Sequence, residues 1–124
     1  MNLVDSSGWL EYFASGSNAD FFAPVVQEID SLVVPTICMY EVFKRLLIQR
    51  GEEAALQVVG IMSLGKISDL NQEIAINAAR ISNELKIAMA NSIILVTARA
   101  YNATLWTQDI DFNNIEGVEY IEKK

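Results

Sequence analysis

Residues 1–10 have the sequence MNLVDSSGWL, and this stretch indicates how the rest of the chain folds. A short apolar run that ends in a carboxylate and small polar residues is typical of a buried strand followed by a helix. The pattern places Asp5 at the edge of a sheet, where the helix begins. Because ligands of open α/β sheets bind at that edge, Asp5 is the first candidate for chemistry.

The composition predicts one domain spanning residues 1–124. A chain of 13.8 kDa with 52% hydrophobic residues can form a core without disulfides or a structural metal. Cys38 is the only cysteine, so it has no internal disulfide partner. The N-terminus lacks a basic-then-apolar signal, and no apolar run approaches the ~20 residues that span a bilayer. We therefore expect a cytoplasmic protein without a membrane segment.

The chain contains no histidine, which removes several kinds of catalytic site. Serine and cysteine triads, RNA cleavage by paired histidines and most zinc sites all use an imidazole. Any catalysis must then depend on carboxylates, hydroxyls, lysine or a bound hard cation.

The net charge of −7, from sixteen acidic and nine basic residues, opposes nonspecific binding to nucleic acid. A nucleic-acid substrate would require local basic residues, a metal or a partner. The middle of the chain is locally basic. Solvation of the surface is the simplest role for these side chains, although one of them could contact phosphate. They are Lys44, Arg45, Arg50 and Lys66.

Short apolar segments alternate with amphipathic segments along the chain, and they predict strands and helices respectively. Strands are predicted at 2–4, 31–34, 66–70, 103–106 and 118–121, and helices at 9–13, 21–29, 36–50, 52–62, 74–85 and 87–101. Gly16, Gly51 and Asn102 are expected to end helices, and Thr36 to cap one. The alternation predicts an α/β fold, a three-layer α/β/α architecture with a five-stranded parallel sheet.

Acidic side chains follow two of these strands and begin a helix after a third. Asp5 follows the first strand, and the segment 107–111, Thr-Gln-Asp-Ile-Asp, follows the fourth. Glu41 lies in the first turns of the helix after the second strand, where a glutamate usually serves as a favourable partner of the helix dipole. Because parallel strands end at the same edge, we expect these acids to lie near one another.

A cluster of carboxylates requires compensation of its charge. Two unit charges ~5 Å apart at an effective dielectric constant of ~20 repel by about 3 kcal/mol, so protons or a cation are needed. Because the available ligands are oxygen atoms and the chain lacks histidine, a site would favour Mg²⁺ or Mn²⁺ over zinc, iron or copper. Such an ion can activate a water and stabilise charge on a phosphoryl oxygen.

Four segments in register resemble the PIN-domain ribonucleases, and most of all the VapC toxins of prokaryotic toxin–antitoxin pairs. The resemblance extends over nearly the whole chain, in the family's order. The four segments are Val4-Asp5-Ser6-Ser7, Tyr40-Glu41-Val42, residues 88–98 (AMANSIILVTA) and residues 105–112 (LWTQDIDF).

The resemblance implies cleavage of RNA phosphodiesters dependent on Mg²⁺ or Mn²⁺, a homodimer, and inhibition by a small antitoxin whose tail enters the acidic groove. Asp5 and Glu41 would be metal-site carboxylates, with Asp109 as the downstream acid. Asp111 competes with Asp109 for that role. Ser6 and Thr107 would orient Asp5 and the metal's water by hydrogen bonding.

Asn91 departs from the family's pattern, which has an aspartate in the metal site at this position. An amide oxygen can coordinate Mg²⁺, but it carries no charge and cannot accept a proton from water. We therefore expect an impaired ribonuclease, either through an engineered change that silences a toxic enzyme or through natural loss of activity. Asn91 is equally compatible with a simple N-cap of the following helix.

A binding module, a receiver domain and a nucleotide-binding fold are the three alternatives to the ribonuclease. A non-catalytic PIN-like module could use the groove to bind RNA or a basic antitoxin peptide, which would suit Asn91. A phosphoacceptor receiver domain would require adjacent acids after the first strand, where this chain has Ser6 and Ser7. No GxGxxG or GxxxxGK[ST] stretch supports a nucleotide-binding fold.

Overall fold

A computed structural model describes residues 1–124, in which short parallel strands alternate with helices. The strands are β1 (Asn2–Val4), β2 (Val33–Pro35), β3 (Lys66–Ser68), β4 (Thr104–Thr107) and β5 (Val118–Tyr120). The helices are α1 (Ser6–Phe13), α2 (Ala19–Gln27), α3 (Thr36–Arg50), α4 (Glu52–Met62), α5 (Gln72–Leu85) and α6 (Met89–Ala100), with short 3₁₀ turns at Ile29–Ser31 and Ile110–Phe112. The predicted α/β class is confirmed.

The five strands form two parallel ladders. One has the order β1-β4-β5 and the other pairs β2 with β3. A single parallel bridge between Asn2 and Leu32 joins the two ladders. The prediction of one continuous five-stranded sheet is therefore corrected: β1 and β2 lie side by side but share only this bridge. Strands of three residues offer few pairing positions, so a small divergence between them leaves one contact.

The core lies around β1, β2 and β4. The strand residues Leu3, Val33 and Leu105 are fully buried, and so are the largest side chains of the core, Trp9 and Phe22. Burying one such side chain contributes about 1.5–3 kcal/mol. A smaller apolar cluster holds α5 against α6 and is formed by Ile74, Ala78, Ile93 and Val96.

The first turn of α1 lies unusually close to the core. A Cβ atom added at Gly8 would lie 2.6 Å from Val4 Cγ1 and 2.7 Å from the ring of Phe22. Only glycine permits this approach, which fixes the position where β1 turns into α1. Asp5 lies between these two elements and caps the helix, because its side chain accepts a hydrogen bond from the Gly8 amide.

Several element boundaries differ from those predicted. α1 ends at Phe13, with Ala14 as its C-cap, and not at Gly16, whose Cβ position is filled by the carboxylate of Glu11. Pro35 is the N-cap of α3, and no side chain caps that helix, so the prediction for Thr36 was wrong. Gly51 and Asn102 adopt positive φ at helix ends, as predicted. The helix ends near Gly51 and Asn102 could be predicted because glycine and asparagine favour the positive φ that these positions require.

None of the helices combines the length and the apolar character needed to cross a lipid bilayer.

Candidate functional site

A groove of about 840 Å³ opens where β1 and β4 end and where α3 and α6 begin. It brings together four of the predicted site residues, Asp5, Glu41, Asn91 and Asp109, although they are up to 104 positions apart in the sequence. Ser6 also lines the groove. Thr107 lies buried behind it, and Asp111 is exposed beside it.

Asp5 is the buried acid of the groove, with only 2% of its surface exposed. Its Oδ2 accepts a hydrogen bond from Thr107 Oγ1 at 2.6 Å, and its Oδ1 accepts from Ser7 Oγ at 2.7 Å and from the Gly8 amide at 2.9 Å. Burial raises the pKa of Asp5 to about 6, although the three hydrogen bonds lower it, and the negative charge of Asp109 raises it further. Asp5 is therefore a fixed carboxylate that ionises reluctantly.

Thr107 connects Asp5 to the downstream acids. Its hydroxyl donates to Asp5 and accepts a hydrogen bond from the backbone N–H of Asp109 at 2.9 Å. The side chain is fully buried, so no water competes for these bonds. One hydroxyl thus sets the separation between Asp5 and the loop that carries Asp109.

The two serines after β1 contact different acids. Ser6 Oγ donates to Glu41 Oε1 at 2.7 Å, and Ser7 Oγ donates to Asp5. The sequence analysis assigned the contact with Asp5 to Ser6 and missed Ser7. Ser6, the first residue of α1, reaches Glu41 on α3. Ser7, the second residue, contacts Asp5, which caps the same helix.

Asn91 is the third residue of α6, whose N-cap is Ala88, so the interpretation of Asn91 as an N-cap was wrong. Its Nδ2 lies 3.3 Å from Asp109 Oδ2 and 3.3 Å from Asp111 Oδ2. The amide is thus a neutral donor to two carboxylates. The Asp111 backbone N–H also donates to Asp109 Oδ1 at 3.0 Å, which keeps the two acids on one short turn.

The side chains that face the groove offer only hard oxygen ligands, which is the chemistry that Mg²⁺ and Mn²⁺ prefer. However, no three acidic, histidine or cysteine side chains are grouped closely enough to hold a metal ion. The donor types therefore fit a hard divalent ion, and the loose spacing of the acids predicts weak affinity for it.

Part of the groove lining, the basic wall, consists of positively charged side chains. Lys44, Arg45 and Arg50 of α3 line it, together with Lys123 near the C-terminus. Lys66, the fourth residue of the predicted basic region, lies elsewhere, with its Nζ 5.3 Å from the centroid of the Tyr101 ring. The groove thus balances four basic side chains against four acidic ones, Asp5, Glu11, Glu41 and Asp109, in a chain that is acidic as a whole.

Comparison with known proteins identifies the family. The sequence of residues 3–118 matches the PIN domain. The chain belongs to the PIN-domain family. No curated protein matches this PIN domain by sequence.

Solved structures share the fold of this PIN domain over almost its full length. A toxin–antitoxin complex from Klebsiella pneumoniae contains a chain with a TM-score of 0.80 and 22% identity, covering 96% of both chains. VapC20 of Mycobacterium tuberculosis, described as a sarcin–ricin loop cleaving toxin, matches with a TM-score of 0.76 and 14% identity over 94% of this chain and 95% of that one. VapBC2 of Rickettsia felis, bound to promoter DNA, matches with a TM-score of 0.72 and 17% identity over 98% and 97%.

Asn18 is a buried residue of the PIN domain that the sequence analysis missed. Its Nδ2 donates to Gln108 Oε1 at 2.9 Å and to the Glu122 carbonyl at 3.0 Å, and its backbone N–H donates to Glu11 Oε2 at 2.7 Å. Its Oδ1 is buried without a partner. Asn18 therefore ties the loop after α1 to the loop carrying Asp109 and to the C-terminal segment. No local pattern signals contacts across such separations.

Cys38 lies fully buried in α3, close to Ser6, Asp5 and Glu41. Burial raises the pKa of this thiol far above its usual range, and the nearby negative charges of Asp5 and Glu41 act in the same direction. The thiol therefore stays protonated and supplies neither a nucleophile nor a metal ligand to the groove.

Proposed function

We propose that this PIN domain is a VapC-like endoribonuclease toxin, impaired in the present sequence by Asn91. The observation that carries the proposal is the composition of one groove, whose lining combines Asp5, Glu41 and Asp109 with the basic wall. Carboxylates provide the chemistry of phosphodiester hydrolysis, and the basic wall offers contacts to a polyanion. Membership of the PIN-domain family supports the same proposal.

In this proposal, Asp5, Asn91 and Asp109 hold Mg²⁺ or Mn²⁺, and the exposed Asp111 assists from the rim. A bound ion of this kind supplies positive charge to phosphate oxygens and makes water a better nucleophile. Thr107 keeps the Asp5 carboxylate aimed at the groove, because its hydroxyl holds Asp5 Oδ2.

Glu41 is the acid best suited to accept a proton. It is only partly buried, and its hydrogen bond from Ser6 occupies Oε1, which leaves Oε2 available towards the groove. Asp5, in contrast, is engaged at both oxygens. We therefore assign proton transfer to Glu41 and electrostatic positioning to Asp5.

Asn91 limits both roles of the acidic site. Its amide brings no negative charge, and its Nδ2 donates to Asp109 and Asp111, whose oxygens the ion would require. A neutral side chain at this position lowers metal affinity and therefore cleavage.

The proposed partners are an RNA substrate and a small antitoxin protein. Similar folds occur in DNA-bound VapBC from Salmonella typhimurium and in VapBC-1 from nontypeable Haemophilus influenzae. We extend this pairing to the present chain and propose that it also forms a homodimer. The exposed apolar side chains Ile76, Leu85 and Met89 suit a dimer contact. Sedimentation velocity tests whether the homodimer forms. Co-purification after co-expression with the neighbouring gene product tests whether the antitoxin complex forms.

Restoring the acid at position 91 tests the enzyme directly. We expect Asn91→Asp to increase cleavage of RNA by about 10²-fold or more in Mg²⁺ or Mn²⁺, because a charged ligand and proton acceptor is regained. The double variant Asn91→Asp with Asp5→Asn is the matched control and should lose the gain. A restored protein that cuts no RNA with either metal contradicts the proposal.

The same variant has a readout independent of activity. Asn91→Asp places a third negative charge beside Asp109 and Asp111, so we expect it to lower the free energy of unfolding in EDTA by about 1–3 kcal/mol. Millimolar Mg²⁺ should recover this loss, because an ion that binds only the folded state stabilises it. Urea unfolding with and without Mg²⁺ measures both effects.

A non-catalytic binding module is the second candidate. The hydrogen bonds from Asn91 to Asp109 and Asp111 favour it, since they stabilise the acids without a cation. The absence of a grouped set of three acids points the same way. Titration calorimetry in EDTA separates the candidates: unchanged binding of RNA or a basic peptide, with no cleavage by the Asn91→Asp variant, identifies the binding module.

A further inference from the structure

Tyr40 is the only exposed aromatic residue of the chain, with 61% of its surface accessible. Every other tryptophan, tyrosine and phenylalanine is buried or half-buried. Tyr40 lies in α3, directly before Glu41, and it lines the groove. Packing into the core therefore does not explain this ring, and its position beside the acids requires another explanation.

Two cations follow Tyr40 along the same wall of the groove. Lys44 lies one helical turn further, with its Nζ 5.8 Å from the centroid of the Tyr40 ring, and Arg45 comes next. The ammonium group is within range of a cation–π contact and helps to orient the ring. The wall thus combines an open aromatic surface with two positive charges, beside the carboxylates.

Aromatic rings interleaved with basic side chains are the usual means of binding single-stranded nucleic acid. Bases that are not paired can be splayed out and stacked on a ring, whereas bases within an RNA duplex cannot. The net charge of −7 repels RNA at long range, so short-range contacts of this kind must supply the affinity.

We propose that Tyr40 stacks against an unpaired base of the RNA next to the cleaved phosphate, while Lys44 and Arg45 contact the neighbouring phosphates. This inference rests on the proposed function for the identity of the ligand. It assigns the contact with the base to Tyr40 and the contacts with phosphate to Lys44 and Arg45.

A second lysine–tyrosine pair provides a matched control. Lys66 Nζ lies 5.3 Å from the centroid of the Tyr101 ring, so the local chemistry is the same. This pair does not line the groove, and Tyr101 packs partly against the core. If loss of any tyrosine beside a lysine weakened RNA binding, substitution of Tyr101 would weaken it as well. If bases stack on Tyr40, only substitution of Tyr40 weakens binding.

The test measures, by fluorescence anisotropy in EDTA, the binding of a labelled oligoadenylate of about 12 nucleotides to the unmodified chain, which has Asn91, and to its variants. We expect Tyr40→Leu to raise Kd by about 5- to 150-fold, the range for loss of one stacked base. Tyr40→Phe keeps the ring and should stay within about 2-fold of the unmodified chain. Leucine is a good helix former, so α3 is retained, as circular dichroism would verify.

Three controls separate stacking from other effects of the substitution. Tyr101→Leu should leave Kd unchanged, and binding of an RNA duplex of equal length should not respond to Tyr40→Leu. Lys44→Gln should reduce the slope of log K against log salt by about 0.7, whereas Tyr40→Leu should leave that slope unchanged.

Several results would overturn the inference. They are the absence of any binding of single-stranded RNA by the unmodified chain, equal losses for Tyr40→Leu and Tyr40→Phe, and an equal loss for the duplex. A loss confined to a basic peptide would also overturn it, because Tyr40 would then recognise a protein. The binding measurement does not depend on cleavage. Failure of Asn91→Asp to cut RNA would therefore reject the proposed ribonuclease activity without deciding whether Tyr40 stacks on a base.

Discussion

The two walls of the groove hold their charges in different ways. Asp5 is buried and fixed by hydrogen bonds from Thr107, Ser7 and Gly8, whereas Lys44 and its basic neighbours are exposed. A buried charge in a rigid setting affects stability strongly, while exposed charges affect mainly the binding of other molecules. On the acidic wall, Asp5 is therefore part of the folded core, whereas the basic wall is a surface that can change without loss of the fold.

The largest expected effect on stability belongs to Asp5. Its pKa is raised from 3.8 in the unfolded chain to about 6 in the folded protein, so ionised Asp5 costs the folded state about 3 kcal/mol well above pH 6. This cost is absent below the unfolded pKa, grows as pH rises from the unfolded to the folded pKa, and is complete above the folded pKa. In EDTA, Asp5→Asn should be more stable than the unmodified chain by up to about 3 kcal/mol at a pH of about 7.5.

Urea unfolding across this pH range measures the difference. The gap between Asp5→Asn and the unmodified chain should narrow below about pH 6 and vanish near pH 4. A gap independent of pH would mean that Asp5 is not the buried titrating group, and the distinction between the two walls would then be lost.

Thr107 tests whether hydrogen bonds fix the acidic wall. Thr107→Val removes the donor to Asp5 and the acceptor of the Asp109 N–H, so we expect a loss of about 2–3 kcal/mol in the free energy of unfolding. Thr107→Ser keeps the hydroxyl and should lose only about 1 kcal/mol, for one buried methyl group. Similar losses in both variants would show that packing, and not hydrogen bonding, dominates.

Asn18 tests how the walls are joined behind the groove. Asn18→Leu leaves the Gln108 side-chain oxygen and the Glu122 carbonyl without their donor, and we expect a loss of about 1–2 kcal/mol by thermal or urea unfolding. The exposed Asn113 is the matched control, and Asn113→Leu should stay within about 0.5 kcal/mol. Equal stability of the two variants would contradict a structural role for Asn18.

The smallest effect is expected on the basic wall. Lys123 lines the groove and Lys124 does not, although both are exposed. Lys123→Gln should weaken oligonucleotide binding a few-fold and reduce the salt slope by about 0.7, with stability within about 0.5 kcal/mol. Lys124→Gln should change neither quantity. If Lys123→Gln unfolded the protein instead, the basic wall would have to be counted as part of the core.

Much of the fold could be predicted because its signals are local. The strand at residues 2–4 and the turn at Gly51 depend on neighbouring residues, and both were found where the sequence placed them. The five strands were found, but their division into two ladders was missed, since it depends on how β1 and β2 diverge. The cap of α3 was misassigned because Pro35 extends β2 directly into the helix.

The candidate site was predicted in part, for the same reason. The acids at strand ends could be named because the ends of parallel strands meet, and the groove contains Asp5, Glu41 and Asp109. Apart from Thr107, which the resemblance implied as a partner of Asp5, the partners of those acids could not be named. The roles of Ser7 and Asn18 depend on side-chain direction and on contacts about a hundred residues apart.

The sequence by itself therefore determined the class of fold, the absence of imidazole chemistry and the set of acids available to a site. The tertiary structure alone decided that Asp5 is buried and has a raised pKa, that Asn91 donates to Asp109 and Asp111, and that Tyr40 is exposed in the groove. The physical reason is that composition and periodicity act along the chain, whereas burial and hydrogen bonding depend on what the folded chain brings close in space.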